Sequence, residues 1–510
     1  MKTNNIKNLY LSHKKTAVIF ISLFFLAIIV RFPYFFYSII SWDESTYIIM
    51  GQDLLDGNLP YAHLWENKSP LVFLFYALFI LLFGKSIVAV RLGGLLCVFI
   101  SSCVIYKVGK HIYGRTAGFW GAILTVVYSS TFIDGQATMT EHILLLPMSL
   151  ILWCILTKKR TNKNTFFTGL LLGIAILIRM NMIYSIIAII VALFLDRSER
   201  DIFRPVRNFF ILLSGILAPF IAIAGIYLFN NSLDLLVKTV RAALAFASYG
   251  KPGFWELTLK AGNEILNSFL SLNILIWIVF LCGIIIVYIR SIKQKDMRSA
   301  ATIISAFFLT VLLSIIKTGR VFPHYLIQLV PFMAIIGGVG LSFIFSSRRM
   351  WNKGLASIVL VIGLSLSLIP TTREYGFFLK KARHYKPLFM DMGYYIAYYL
   401  NSHDVSGQYV FLCSHHIGYW LTGAKIPTKY AHPSNLGKEY LLKAIDGKTA
   451  SSESALQNIL MKKPVFIVKP LKVDYFNKGC NAILDTEIER RYELDEKIGP
   501  IDIYKRKAVK

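Results

Sequence analysis

Charge is scarce in this chain, and negative charge is the scarcer sign. Asp and Glu number 28 against 55 Lys and Arg in 510 residues, and charged residues make up only 16% of the total. A soluble domain carries about 25%. With 55% hydrophobic residues and a mean hydropathy of +0.57, the composition excludes a soluble protein and indicates an integral multi-pass membrane protein. Chemical signatures are missing too. There is no Walker-type loop, no GxGxxG, no HExxH and no Asp-x-Asp; the nearest approach to the last is Asp485-Thr486-Glu487, far out in the tail. A nucleotide-linked donor is therefore not expected.

Cysteine is sparse as well. The six cysteines have no metal-ligand spacing, and Cys97, Cys103, Cys154 and Cys282 lie in apolar runs as small core residues. Cys413 and Cys480 sit in the polar tail, and the sequence leaves open whether they pair in an oxidising compartment. Lys14-Lys15 precede a long apolar stretch from Thr16 to about Ile40, broken by Arg31 and Pro33 and without a small-residue cleavage site. The expectation is a retained first helix rather than a cleaved signal.

The positive excess, net +27, does not indicate nucleic acid. Basic residues gather in short loops between apolar spans, where they orient helices and meet anionic membrane lipids. Eleven spans are expected, at about 16–38, 87–106, 116–133, 142–157, 165–179, 182–195, 208–229, 268–289, 299–316, 324–345 and 354–370. With the N-terminus cytoplasmic, the loops holding Lys107/Lys110/Arg115, Lys158-Lys159-Arg160/Lys163, Arg197/Arg200/Arg204/Arg207, Arg290/Lys293/Lys295/Arg298 and Arg348-Arg349/Lys353 all face inward. That holds only if the 14-residue stretch 70–83 does not cross. Segments 44–57 and 70–83 are accordingly expected to be interfacial helices on the outer surface.

The same face then receives the 39–69 loop, Asp134 to Glu141, Arg179 to Asn181, the 230–267 loop, Lys317 to His324 and the tail. From about 371 the character changes. Strands are expected at 408–413 and 464–468, helices at about 387–401 and 453–462, and a hairpin from 493–497 and 501–504 split by Gly499-Pro500. The expected organisation is a transmembrane catalytic domain, 1–370, and a small extracytoplasmic α/β domain, 371–510.

Asp43 and Glu44 form an acidic pair just beyond the first span, and carboxylates at the lip of an apolar segment are costly unless solvated or used. One reading is a general base for an acceptor hydroxyl. The other is a helix cap, with Asp43 as N-cap and Glu44 in the first turn; the sequence leaves both open. Glu141 is a second acid at the same face, or again a first-turn helix acid. Lys68, Arg179, Arg320 and His324 are the candidate cations for a departing phosphate, with Arg241 and Lys251 weaker. Arg179 could equally snorkel, and the Arg320 to Tyr325 turn could be an interface anchor.

Four passages give the chain a family resemblance. Trp42-Asp43-Glu44-Ser45-Thr46-Tyr47 with Leu54 to Tyr61 resembles an acidic first-loop signature. Lys68-Ser69-Pro70-Leu71, running on to Phe83-Gly84 and Arg91-Leu92, resembles a Lys-Pro-Pro-Leu stretch with Ser69 in place of the first proline. Gly135-Gln136-Ala137 to Thr140-Glu141 resembles a second outer-loop acid. Gly319 to Pro331 and Gly418-Tyr419-Trp420-Leu421-Thr422-Gly423 resemble later stretches.

The family is the C superfamily of membrane glycosyltransferases (GT-C), nearest the protein O-mannosyltransferase and lipid A aminoarabinose transferase branch. The resemblance implies an α-helical polytopic fold of about eleven spans with interfacial helices. It implies inverting sugar transfer from a polyprenyl-phosphate donor to a glycan, lipid or protein hydroxyl, as in assembly of cell-envelope glycans such as lipopolysaccharide. Asp43 becomes the base, Glu141 the second acid, and Lys68 the phosphate contact, with Arg179, Arg320 and His324 transferring less directly. No cofactor is implied; Glu66 and His63 are candidate ligands for a divalent ion but no complete ligand set accompanies them. The expected location is a bacterial inner membrane with the site on the periplasmic face. Three alternatives stand: a lipid or polysaccharide transporter or flippase, whose ionisable groups belong at mid-membrane, a non-catalytic membrane scaffold, which would tolerate Asp43→Asn, and an oligosaccharide polymerase or ligase with a diphosphate-linked donor.

Overall fold

A computed structural model describes residues 2–195, 204–248, 253–270, 274–318, 322–346 and 350–508. Ten of the eleven expected spans coincide with helical segments; the other, 268–289, begins at the end of helix Phe254–Leu270, passes residues 271–273 outside the described residues and continues in helix Ile274–Lys293. Among the described residues seven helices are long and apolar enough to cross a membrane: Lys14–Phe36, Ile87–Tyr113, Thr140–Thr157, Val206–Phe229, Ile274–Ile292, Met297–Lys317 and Pro323–Ser346. Asn162–Ile178 and Met180–Leu195 are apolar but shorter. The expected basic positions Arg197, Arg200, Lys251, Arg320, Arg348 and Arg349 lie outside the described residues.

The chain divides into two units. The first comprises Met1–Tyr34, Leu92–Ala222 and Pro252–Leu379. Its innermost helix, Val330–Ser346, is buried along most of its length and packs against Arg115–Thr131 and Ile274–Lys293. Small residues permit those crossings: Gly118, Gly121 and Ala122 on one helix, Gly337, Gly338 and Gly340 on the other. At the periphery the first helix leaves Val18, Ile21, Phe25 and Ile29 exposed in a stripe at helical spacing. In water such a stripe would be a liability; against acyl chains it costs nothing.

The second unit comprises Phe35–Arg91, Ile223–Lys251 and Lys380–Lys510. Segments 44–57 and 70–83 form helices Trp42–Leu55 and Pro70–Phe83, which pack closely together. At 14 residues the second is about 21 Å long, against a hydrocarbon core of about 30 Å. Gly51 makes their contact possible, because a Cβ there would lie 2.8 Å from the Cβ of Tyr76. The tail carries a four-stranded sheet in the order β1-β2-β4-β3, from Val410–Leu412 (β1), Phe466–Pro470 (β2), Tyr492–Ile498 (β3) and Ile501–Arg506 (β4). β1 and β2 are parallel; β2–β4 and β3–β4 are antiparallel, with a bulge at Leu494/Glu496. Cys413 and Cys480 are buried, separate thiols.

Candidate active site

The acidic pair lies in the first turn of helix Trp42–Leu55, but neither member caps it. The N-cap is Ser41, in extended conformation, so Asp43 stands one residue inside the helix, which corrects the capping alternative. One step along a helix turns a side chain by about 100°, and the two acids diverge accordingly. Glu44 is 1% exposed, and its oxygens meet Arg91 Nη2 at 2.9 Å and Nε at 3.3 Å. Arg91 is itself fully buried. This is a two-point, charge-assisted clamp between the loop helix and helix Ile87–Tyr113. The Asp43 side chain is 38% exposed. It accepts a hydrogen bond from Tyr47 Oη at 3.0 Å, and its other oxygen lies 3.7 Å from His432 Nε2.

The tail of this unit reaches the pair through main-chain hydrogen bonds. Trp65 N–H donates to Lys429 O at 2.6 Å, and Ala431 N–H donates to Trp65 O at 3.1 Å. The Trp65 ring is buried and donates to Thr239 Oγ1 at 3.1 Å. His432 follows directly. Its Nδ1 accepts from the Ser434 N–H at 3.2 Å and lies 2.9 Å from Ser434 Oγ. His416, fully buried, contacts Thr46 Oγ1 at 2.8 Å, and its ring stands 5.5 Å from that of His432. Trp42 lies against both imidazoles. Burial pushes the pKa of both histidines down, His416 well below the usual range. They are therefore neutral at pH 7.

Lys68 is half-buried in the same unit. It acts electrostatically on His432, as do Asp43 and Glu66, and among the described residues no hydrogen bond or ion pair engages its ammonium. Its carbonyl accepts from Tyr61 Oη. Ser69, the departure from the family's first proline, caps helix Pro70–Phe83: its hydroxyl accepts from Leu71 N–H at 3.2 Å, with Pro70 at the first helical position. Among the described residues no three His, Cys, Asp or Glu side chains group as metal ligands. His63 pairs with Asp53 at 2.6 Å and Glu66 accepts from Asn435 at 2.8 Å, so these two candidates have separate partners.

In the first unit Glu141, Arg179 and His324 come together. Glu141 is fully buried at the start of helix Thr140–Thr157 and forms an ion pair with Arg179. The guanidinium also donates to Thr140 Oγ1 at 3.2 Å and lies over the Tyr325 ring at 4.2 Å. Its side chain is 8% exposed, so Arg179 is a fixed, paired group and not a snorkelling one. Its extended backbone breaks the chain between helix Asn162–Ile178 and the turn Met180–Tyr184, placing the side chain at that break. His324 Nδ1 lies 3.3 Å from Asp134, and Nε2 lies 3.9 Å from Glu141.

The loop leading to Glu141 is held from within. Arg31, fully buried, donates to the carbonyls of Gly135 at 2.6 Å, Gln136 at 3.2 Å and Ala137 at 3.1 Å. Gly135 is needed there, since a Cβ would sit 2.6 Å from Phe132 O. Arg31, which the sequence presents only as an interruption of the first span, is thus the clamp of the second acidic loop.

Among the site neighbours, Arg91 and Tyr47 stand within the family-like passages of the sequence without an assigned role, and His416 and His432 stand outside them. Tyr47 had a signal, four residues from Asp43 on one helix face. The two histidines lie some 370–390 positions away in a tail of mixed polarity, with no local signal.

Residues 67–247 match the family model for dolichyl-phosphate-mannose-protein mannosyltransferase. Among solved structures, the chain is similar to ArnT of Cupriavidus metallidurans bound to undecaprenyl phosphate, with TM-score 0.58 and 10% identity, covering 96% of this chain and 97% of that one. It is also similar to the oligosaccharyltransferase of Archaeoglobus fulgidus in apo form, with TM-score 0.53 and 11% identity over 89% and 69% of the two chains. The archaeal oligosaccharyltransferase AglB in complex with an inhibitory peptide and a dolichol-phosphate gives TM-score 0.52 at 10% identity, over 97% and 74%. No curated protein sequence matches significantly. The family match and the shared fold bear out the resemblance to the C superfamily of membrane glycosyltransferases.

Proposed function

We propose that this chain, which carries the fold of the C-superfamily membrane glycosyltransferases, is an inverting enzyme using a polyprenyl-phosphate-linked sugar. It transfers that sugar to an acceptor hydroxyl at the outer face of the membrane. The observation that carries the reading is the contrast within the acidic pair. Glu44 is locked to Arg91 in the interior, while Asp43 next to it is presented half-exposed, and Lys68, whose ammonium no hydrogen bond or ion pair engages among the described residues, acts on the same histidine as Asp43.

In this scheme the Asp43 carboxylate takes the proton of the acceptor hydroxyl as its oxygen attacks the anomeric carbon. The bond to the phosphate oxygen breaks on the opposite side, so the anomeric configuration inverts and the polyprenyl phosphate leaves as an anion. Lys68 stabilises that anion as its charge develops. Glu44 and Arg91 hold the turn that carries the base. In the first unit, by itself, Glu141 fixes Arg179, with His324 beside it. The donor class is supported by two fold neighbours, one bound to undecaprenyl phosphate and one in complex with a dolichol-phosphate. A bacterial inner membrane, a periplasmic site, and residues 371–510 as an extracytoplasmic domain belong to the same proposal. The sugar is a hexose or a pentose.

The test is sugar transfer from a panel of polyprenyl-phosphate sugars by the purified protein, comparing wild type with Asp43→Asn. One donor should turn over, with an inverted product, and the variant should lose roughly 100-fold or more, the range for a positioned base. Equal rates in the two proteins would remove Asp43 from the role, and a retained anomer would exclude the single-step scheme.

A further inference from the structure

His432 is held in one protonation state by its own backbone. Its Nδ1 accepts from the Ser434 N–H, which can only donate, with the Ser434 hydroxyl at 2.9 Å as a second neighbour. In the neutral ring the proton is therefore on Nε2, and Nε2 is the atom that faces Asp43 Oδ1 at 3.7 Å. The ring is nearly buried and packed against Trp42 and His416, so its direction is fixed. The tie of Trp65 to residues 429–431 carries it to that place.

We propose that His432 is a positioning residue for the Asp43 carboxylate. This inference rests on the reading of Asp43 as the base. The Nε2–H is directed at one carboxylate oxygen and Tyr47 Oη binds the other, so the carboxylate cannot rotate freely about its last bond. A separation of 3.7 Å is longer than a hydrogen bond. It closes by a small shift when substrate fills the site, as catalytic contacts often do. His432 does not relay the proton. Nε2 already carries one, and Nδ1 could accept another only by losing the Ser434 N–H. The ring instead donates to the charged form of Asp43 and keeps the base ionised at lower pH.

Charged and titratable groups act on His432 from every side: Asp43 from helix Trp42–Leu55, Glu66 and Lys68 from the loop, Lys438 beyond the turn Pro433–Gly437, and His416 from the tail. Burial outweighs their sum and keeps the ring neutral, as a donor requires.

The test is the pH profile of kcat/KM for sugar transfer by the full-length protein, with Asp43→Asn, His432→Asn and His432→Gln. An Asn amide reproduces the Nδ1 side of the ring and its contact with Ser434, but not the Nε2 donor. A Gln amide reproduces the Nε2 donor. All three variants are matched to wild type by melting temperature in detergent. The expected result is that His432→Asn loses roughly 10–100-fold, the scale of a misplaced catalytic group, and that its acidic limb moves to higher pH. His432→Gln should keep the wild-type limb. An unmoved limb in His432→Asn, or equal losses in both His432 variants without a shift, would overturn the inference and leave His432 a packing residue. Full activity in Asp43→Asn would instead remove the premise, and is recognised independently of either His432 variant.

Discussion

At the scale of single residues, adjacent positions in one dipeptide carry different work. Glu44 is a buried ion, and breaking a buried pair by removing one charge costs about 3–5 kcal/mol because the other charge is stranded. Glu44→Gln should therefore lower the melting temperature of the purified protein by removing the carboxylate that clamps the buried Arg91, whereas Asp43→Asn should leave it near wild type while lowering transfer roughly 100-fold or more. Reversal of those two behaviours would exchange the assigned roles. The tail histidines add a pH dependence whose sign is fixed. His416 and His432 have pKa values held below the unfolded value of 6.5 by burial. The unfolded chain thus binds more protons below that pH, and stability is lost as pH falls from about 6.5 downward. Melting temperature measured from pH 7.5 to 5.0 should fall, and His416→Phe should flatten the fall; an unchanged slope would show that His416 is not held neutral.

At the scale of elements, the site depends on how closely two short helices approach. Helix Trp42–Leu55 buries Tyr47 to Gly51 against helix Pro70–Phe83, with the rings of Tyr47 and Tyr76 5.5 Å apart, edge to face. Gly51→Leu should force them apart at a cost of about 1–3 kcal/mol. The shift would move Asp43 relative to His432 in the tail, so transfer should fall along with stability. A variant of wild-type stability and rate would show that the approach is not required. Elements were legible to different degrees. The hairpin around Gly499-Pro500 and the strands near 410 and 466 stand where alternation and turn residues place them. Helix Lys478–Arg491 lies outside the expected elements, because only Cys480, Leu484 and Ile488 are buried and most of the rest is polar or charged. Four-residue spacing of three apolar positions is a faint signal in so charged a segment.

At the scale of the whole molecule, the charge pattern makes a topological prediction. Single cysteines placed at Asn58 and at Lys159, in a background lacking the six native ones, should react with a membrane-impermeant maleimide from opposite sides of sealed vesicles. The Lys159 position should label only from the cytoplasmic side. Labelling of both from one side would overturn the arrangement in which 70–83 does not cross.

Composition alone was enough to determine the membrane class, because no soluble core could hide so much apolar surface. The spans follow from local hydropathy, which needs no knowledge of neighbours. The candidates Asp43, Lys68 and Glu141 were visible because an ionisable group beside an apolar run is expensive wherever the chain goes. Which acid of the pair is buried was not visible, since that depends on Arg91 arriving 47 positions later. Nor could the sequence show that Arg31 clamps residues 135–137, or that His432 turns its Nε2 toward Asp43. Hydrogen bonds and ion pairs act over a few ångströms, and only the folded chain brings such distant positions that close.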